Sequence, residues 1–88
     1  MRSLSLRSGF LLLATVAQAS SYADSLFLEA NQLYGKQYYS EAVSLYDQLT
    51  NRGYNHTNLY YNLGNAYYQF GELGNAIWAY EKGLELRP

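Results

Sequence analysis

Side chains able to do chemistry are few in this sequence, and their spacing forms no catalytic or metal site. His56 is the single histidine, and the chain has no cysteine. One His without Cys or a nearby acidic cluster cannot hold a transition metal. Asp24 and Asp47 fall in other predicted helices, so no Ser-His-Asp arrangement is indicated. The sequence therefore predicts a protein that is not an enzyme and that needs no metal or cofactor.

Two short motifs have simple interpretations. Asn55-His56-Thr57 matches the acceptor pattern for N-glycosylation, which matters only in a eukaryotic secretory pathway. Gly71-Glu72-Leu73-Gly74 is expected to be a turn and a helix start, because it lacks the Lys and the preceding strand of a phosphate-binding loop.

Charge excludes one class of partner. The chain has 6 Lys and Arg against 7 Asp and Glu, and the basic residues do not cluster. A nucleic-acid footprint would need a basic patch on one face, so no nucleic acid is expected as a partner. Nothing in the sequence indicates a small-molecule substrate. The composition includes 11 Tyr, which can pack with the ring and hydrogen-bond with the hydroxyl.

The last part of the chain gives the clearest prediction of secondary structure. Apolar residues recur at steps of three and four around Leu63 and again around Ile77, with Gly71 between the two runs. This periodicity predicts two helices joined by a tight turn. Gly64 and Ala76 are small enough to let bulky neighbours insert where the helices meet.

The chain contains an internal sequence repeat of two units. A shift of 34 residues lays Asn65 on Asn31 and Tyr80 on Tyr46. Glu29, however, occupies the first-repeat position of Leu63, where a carboxylate can reach water because no repeat packs on that side. A single hairpin cannot bury its apolar stripe, so the two units are expected to stack.

The pattern predicts four helices, at 25–36, 40–51, 58–70 and 74–86. Asp24 and Thr57 are the expected N-caps, and Gly53 and Gly71 the expected left-handed turn residues. Pro88 is expected to block further helix. The predicted core consists of Leu33, Ala42, Leu45, Tyr46, Leu49, Tyr60, Leu63, Tyr67, Ala76, Ile77 and Tyr80.

The second unit resembles a tetratricopeptide repeat (TPR). Its matching residues are Tyr60, Leu63-Gly64, Tyr67, Ala76, Tyr80 and Pro88. The resemblance implies an all-α fold of two stacked helix-turn-helix hairpins, a short right-handed solenoid piece. Repeat 1 would span about 23–56 and repeat 2 about 57–88, within a domain of residues 20–88.

Residues 1–19 are predicted to be a signal peptide outside this domain. Two Arg residues precede an apolar run from Phe10, and Ala17-Gln18-Ala19 has the small-residue spacing of a cleavage site. Cleavage after Ala19 is favoured over cleavage after Ala23, and a retained amphipathic helix is the alternative. The run is too short to span a bilayer. An exported protein is therefore expected, periplasmic or envelope-associated if the source is bacterial.

The TPR resemblance also implies a binding surface, because the inner faces of the first helices of TPR hairpins line a groove that holds a peptide. The positions that this implies are Phe27, Asn31, Tyr34, Asn58, Tyr61, Asn62, Asn65, Tyr68 and Gln69. An alternative for Asn62 and Asn65 is a purely structural role in tying helix to loop. The carboxylate clamp of chaperone-binding TPR domains is rejected, because Phe27 stands where its first Lys would be.

Two further expectations concern partners. The motifs Tyr60-Tyr61-Asn62-Leu63-Gly64-Asn65 and Leu73-Gly74-x-Ala76-Ile77 resemble TPR proteins of the bacterial aerotolerance (Bat) operons, which implies an envelope scaffold with von Willebrand-type (VWA) partner proteins. The last helix also carries Ile77, Leu84 and Leu86 with no capping helix after it. The favoured interpretation is that the chain is a fragment of a longer TPR protein, and the alternative is that a second copy covers this end by self-association.

Overall fold

The structure is a computed structural model that describes residues 21–87. In this range the chain forms four helices and no strand. The described part of α1 covers 21–35, and it is followed by α2 (Tyr39–Asn51), α3 (Thr57–Phe70) and α4 (Leu73–Leu86). The predicted all-α fold of two helical hairpins is confirmed. The expected signal peptide at 1–19 and the expected stop at Pro88 lie outside the described residues.

The three turns between helices are built alike. The amides of Tyr38, Tyr54 and Glu72 donate to the carbonyls of Leu33, Leu49 and Tyr67, at 2.9, 3.2 and 2.9 Å. Each bond closes a helix end through a residue with positive φ, namely Gln37 (68°), Gly53 (88°) and Gly71 (90°). The predictions for Gly53 and Gly71 are confirmed. Gln37 was not predicted, because Gln rarely adopts this conformation.

Both predicted N-caps are wrong. Asp24 lies inside α1, which already includes residue 21. The helix extends further because Ala23 and Leu26 add to its buried side, at 9% and 7% exposure. Thr57 is the first residue of α3, so His56 holds the cap position and makes no side-chain capping bond.

The predicted core is correct in its centre and wrong at its outer edge. The predicted residues that prove buried are Ala42, Tyr46, Leu49, Tyr60, Leu63 and Ala76. Those that prove half-buried are Leu33, Leu45, Tyr67 and Tyr80. Ile77 was predicted to be buried, but it is 58% exposed, because the outward face of α4 has no described neighbour. Three alanines that the prediction missed, Ala30, Ala66 and Ala79, have no exposed surface.

Helix α3 is the centre of the packing, since it contacts both α2 and α4. Leu59, Leu63 and Ala66 are at most 2% exposed. Their burial joins the two hairpins into one stack and sets α1 and α3 near each other. No helix within residues 21–87 has the length and apolarity needed to cross a membrane.

Candidate binding groove

A small cleft between α1 and α3 gathers the amide side chains that the sequence pointed to. Its volume is about 170 Å³, and its lining residues are Asn31, Tyr34, Tyr46, Asn62 and Asn65. Four of these belong to the predicted groove. Tyr46, from α2, was predicted only as a core residue, although its spacing of 15 residues from Asn31 recurs between Asn65 and Tyr80.

Asn31 is the hydrogen-bonding centre of the cleft. Its Oδ1 accepts from the Tyr46 hydroxyl at 2.5 Å and from Nδ2 of Asn62 at 3.1 Å. These two bonds connect α1 to α2 and to α3 through one oxygen. Asn31 and Asn62 therefore have a structural role in joining the repeats, whatever else they bind.

The second repeat contains the equivalent of one of these bonds. Oδ1 of Asn65 accepts from the Tyr80 hydroxyl, also at 2.5 Å. This bond ties α3 to α4 as the Tyr46 bond ties α1 to α2. Within residues 21–87, Asn65 receives no second donor of the kind that Asn62 supplies to Asn31.

Amide donors remain available in the cleft. Nδ2 of Asn31 and of Asn65 has no hydrogen-bond partner within residues 21–87. No described side-chain nitrogen or oxygen is both buried and unpaired, so these two NH₂ groups keep some contact with solvent. Each can donate to a carbonyl oxygen of a bound segment.

Aromatic side chains flank the cleft. Tyr34 packs edge-on against Tyr39, with ring centroids 5.3 Å apart, and Tyr61 lies 5.6 Å from the ring of Tyr80. Tyr61 and Tyr68 are each 58% exposed. Gln69, at the end of the same helix face, is exposed as well. These side chains offer contact area with little rotamer entropy to lose.

Phe27 and Asn58 lie apart from the amide cleft. Both line a different cavity of about 310 Å³ that also includes Leu49 and Leu59. The Phe27 ring is half-buried, and its centroid lies 6.0 Å from that of Tyr46. The predicted groove is therefore divided, with four of its positions lining the amide cleft, two beside the second cavity and Tyr61 beside a third cavity between α3 and α4.

Burial disfavours ionisation of the two tyrosines that link the helices of each hairpin. It raises the pKa of Tyr46 to about 12 and raises the pKa of Tyr80 above its usual range. Each hydroxyl donates to the amide oxygen of its asparagine, Tyr46 to Asn31 and Tyr80 to Asn65.

The opposite side of the stack contains a polar contact that sequence reasoning missed. The Tyr67 hydroxyl lies 3.3 and 3.1 Å from the two carboxylate oxygens of Asp47. Burial raises the pKa of Asp47, although the bond from Tyr67 opposes this shift. Within residues 21–87, no three His, Asp or Glu side chains are grouped so that they could hold a metal ion.

Comparison with known families identifies the second hairpin. Residues 57–88 match the tetratricopeptide repeat family model. The match spans α3 and α4 and supports the TPR family for this chain. No curated protein shows significant similarity to the chain. TPR units are typically non-catalytic scaffold modules, and the repeat suggests a protein–protein interaction module.

Proposed function

We propose that this TPR protein binds an uncharged, extended protein segment along α1 and α3. The observation that carries the proposal is the cleft in which Asn31 and Asn65 each keep an unpaired amide NH₂ group, on the same helix pair that exposes the rings of Tyr61 and Tyr68. An extended peptide presents carbonyl oxygens at regular intervals, and amide donors pair with them. The exposed rings would cover the side chains of the same segment.

The ligand class follows from the charge of this face. The nine groove positions consist of Asn, Tyr, Gln and Phe and include no Lys, Arg, Asp or Glu. A phosphate or carboxylate group would find no cation there and would lose the charge-assisted part of its binding energy. A neutral or weakly amphipathic segment suits this surface better.

The test uses a variant that leaves the structural bonds intact. Tyr68→Ala with Gln69→Ala removes two exposed side chains and none of the Asn-Tyr bonds. The purified chain, fixed to beads, is exposed to an envelope extract, and captured proteins are identified by mass spectrometry. Overlapping synthetic peptides of the main captured protein are then titrated in solution. We expect one neutral peptide to bind, and the double variant to weaken it by about tenfold or more, as loss of a central aromatic contact does.

The matched control is Tyr38→Ala. Tyr38 is 53% exposed, comparable to Tyr68, but it lies in the turn between α1 and α2 and does not line the cleft. Circular dichroism checks that each variant keeps its helical content. Equal weakening by the control and the groove variant would contradict the proposal, as would capture that depends on an acidic or phosphorylated peptide.

The setting of this interaction is part of the proposal. The signal-like pattern of residues 1–19 and the resemblance to Bat-operon TPR proteins support an exported, envelope-associated scaffold with VWA-domain partners. Mass spectrometry of the chain recovered from the periplasm of an expressing bacterium tests export, with a new N-terminus at Ser20 expected. An uncleaved chain retained in the cytoplasm would contradict it. Copurification of a VWA protein, lost in the groove variant, would support that choice of partner.

Self-association is a second candidate, and a separate observation favours it. Leu73, Ile77 and Leu84 of α4 are 56%, 58% and 63% exposed, so three large apolar side chains of this helix lie mostly in solvent. Exposed apolar clusters of this kind mark interaction sites. The molecular mass from light scattering should therefore rise with concentration, and a constant monomer mass would contradict this candidate.

A further inference from the structure

The second cavity, beside Phe27 and Asn58, lies where the two repeats meet. Its volume of about 310 Å³ is at the lower end of the range for ligand-binding cavities. The lining comes from the early parts of α1 and α3, and from the end of α2 with the turn that follows it. Its buried part is apolar, because Leu49 and Leu59 are each 2% exposed, and the ring of Tyr54 is half-buried. The cavity can therefore hold the apolar part of a side chain.

The outer edge of this cavity is polar. Asp24, His56 and Asn58 are its exposed lining residues, and Asp24 is the only carboxylate among the lining residues that the structure describes. Asp24 forms no ion pair within residues 21–87. Arg52 lies in the turn after α2, but its guanidinium packs over the ring of Tyr22, 4.7 Å from the centroid, and does not line the cavity. The edge therefore has a negative charge that no described cation offsets.

An apolar lining with a carboxylate at its edge suits one kind of side chain. The methylene stem of Lys or Arg packs on apolar surface while its charged end stays at the edge, within reach of Asp24. The rings of Phe27 and Tyr54 line the same space, and aromatic rings attract cations. An acidic side chain would be repelled by Asp24. A wholly apolar one would displace water from that carboxylate without supplying a cation in return.

The cavity and the amide cleft follow one another along the same two helices. Phe27 precedes Asn31 by four residues in α1, and Asn58 precedes Asn62 by four residues in α3. One helical turn separates the members of each pair, a rise of about 6 Å. An extended segment advances about 3.3 Å per residue, so two residues cover this distance. A segment that lies over the cleft can therefore place a nearby side chain in the cavity.

We propose that the second cavity takes one Lys or Arg side chain of the bound segment, about two or three residues from the uncharged stretch over the amide cleft. This inference rests on the proposed function for the rest of the segment and adds one position of defined charge. Asp24 is then a specificity-determining residue. Because Asp24 is exposed, the preference for Lys over an uncharged side chain is expected to be modest, about threefold to fivefold in affinity.

The test starts from the peptide identified by capture on the groove. Lys, norleucine and Glu are placed in turn at successive positions on either side of its uncharged stretch, and each peptide is titrated in solution. Norleucine keeps the stem of Lys and lacks the ammonium group. At one position we expect Lys to bind about threefold to fivefold more tightly than norleucine, and Glu to bind least tightly. Added salt should reduce the advantage of Lys, because it screens the ion pair.

Two matched variants of the protein locate the charge. Asp24→Asn should bind the Lys and norleucine peptides equally, since it removes the partner of the ammonium group. Glu29→Gln is the control, because it removes the same charge from an exposed residue of α1 that does not line the cavity. It should keep the preference for Lys. Circular dichroism checks that both variants keep their helical content.

A small probe tests the cavity without the groove. Lysine with both backbone ends blocked, and its norleucine counterpart, are added at millimolar concentration while the amide resonances of the chain are followed by heteronuclear NMR. We expect the lysine probe to shift the resonances of Asp24 and Leu59, and this shift to disappear in Asp24→Asn. The norleucine probe should have a weaker effect.

The outcomes separate this inference from the proposed function. Peptide binding that the Tyr68 and Gln69 double variant weakens, with no preference for Lys at any position, overturns the cavity assignment and leaves the groove standing. A preference for Lys that Glu29→Gln removes as fully as Asp24→Asn also overturns it, since long-range charge alone would then account for the preference. If no peptide binds, the proposed function fails, and the lysine probe decides the cavity separately. Unchanged resonances at Asp24 and Leu59 would overturn the cation site as well.

Discussion

The ring of Tyr80 lies directly on Gly64. A Cβ atom at residue 64 would stand 2.7 Å from two carbons of that ring, closer than real Cβ contacts come. This contact brings α3 and α4 together and directs the Tyr80 hydroxyl to Asn65. Because the closest atoms belong to a rigid ring, a methyl group at residue 64 can be accommodated only by displacing Tyr80.

Gly64→Ala is therefore expected to destabilise the protein by about 1–3 kcal/mol, the usual cost of overpacking. Gly83→Ala is the matched control in α4. Its Cβ would meet its nearest neighbours at 3.5 Å, an ordinary contact, so the change should stabilise the helix by about 0.5–1 kcal/mol. Urea unfolding followed by circular dichroism measures both. Opposite signs are expected, and equal effects would show that Tyr80 yields easily.

The two Asn-Tyr bonds should differ in their contribution to stability. Asn31→Ala leaves the hydroxyl of Tyr46, which is 1% exposed, without its acceptor and also frees Asn62. A loss of about 1–3 kcal/mol in the free energy of unfolding is expected. Asn65→Ala affects only half-buried Tyr80, whose hydroxyl can turn to water, so a loss of about 1 kcal/mol or less is expected. Urea unfolding of both variants checks the order, and a larger loss for Asn65→Ala would contradict it.

Because of Asp47, the free energy of unfolding is expected to depend on pH in the acid range. Burial raises its pKa in the folded protein above the ordinary value of 3.8, so folding favours its protonated form. Its contribution to stability is therefore greatest below pH 3.8 and is lost as pH rises through the raised pKa. Asp47→Asn keeps an acceptor for Tyr67 and removes the charge. We expect its urea midpoint to exceed that of the unaltered chain at pH 7 and to match it near pH 3.

The control for this prediction is Asp24→Asn, which changes an exposed carboxylate of α1. Its urea midpoint should stay close to that of the unaltered chain at both pH values. If Asp47→Asn proved less stable than the unaltered chain at pH 7, the charge-assisted bond from Tyr67 would outweigh the cost of burial.

Alkaline titration should reveal that Tyr46 and Tyr67 hold their protons well above pH 10. Tyr46 and Tyr67 have a pKa of about 12, raised from 10.0 mainly by burial, and the Asp47 carboxylate raises that of Tyr67 further. Because the folded state holds these protons more tightly, their stabilisation is complete below pH 10 and is lost between pH 10 and 12. The ultraviolet absorbance of tyrosinate should show a step well above pH 10 that coincides with loss of helical circular dichroism. Ionisation that is complete near pH 10 with the helices intact would contradict the prediction.

The sequence by itself determined the all-α architecture, the two repeated hairpins and the turns at Gly53 and Gly71. These features depend on local properties. Apolar residues at steps of three and four specify a helix face, and glycine accepts a left-handed backbone at little cost. The predicted N-caps at Asp24 and Thr57 were wrong because the start of a helix can shift by a residue or more. In α1, burial of Ala23 favours the longer helix.

Only the tertiary structure decided what the polar and outward side chains do. It brought Asn31, Tyr46 and Asn62 to one oxygen, and so assigned Asn62 a bond between repeats that periodicity could not specify. It also left Ile77 exposed, although the sequence pattern resembles that of Val43 in the first repeat. The physical reason is the same in both cases. A helix pattern shows which side chains share a face, but the neighbour that packs on that face determines their burial and their hydrogen bonds.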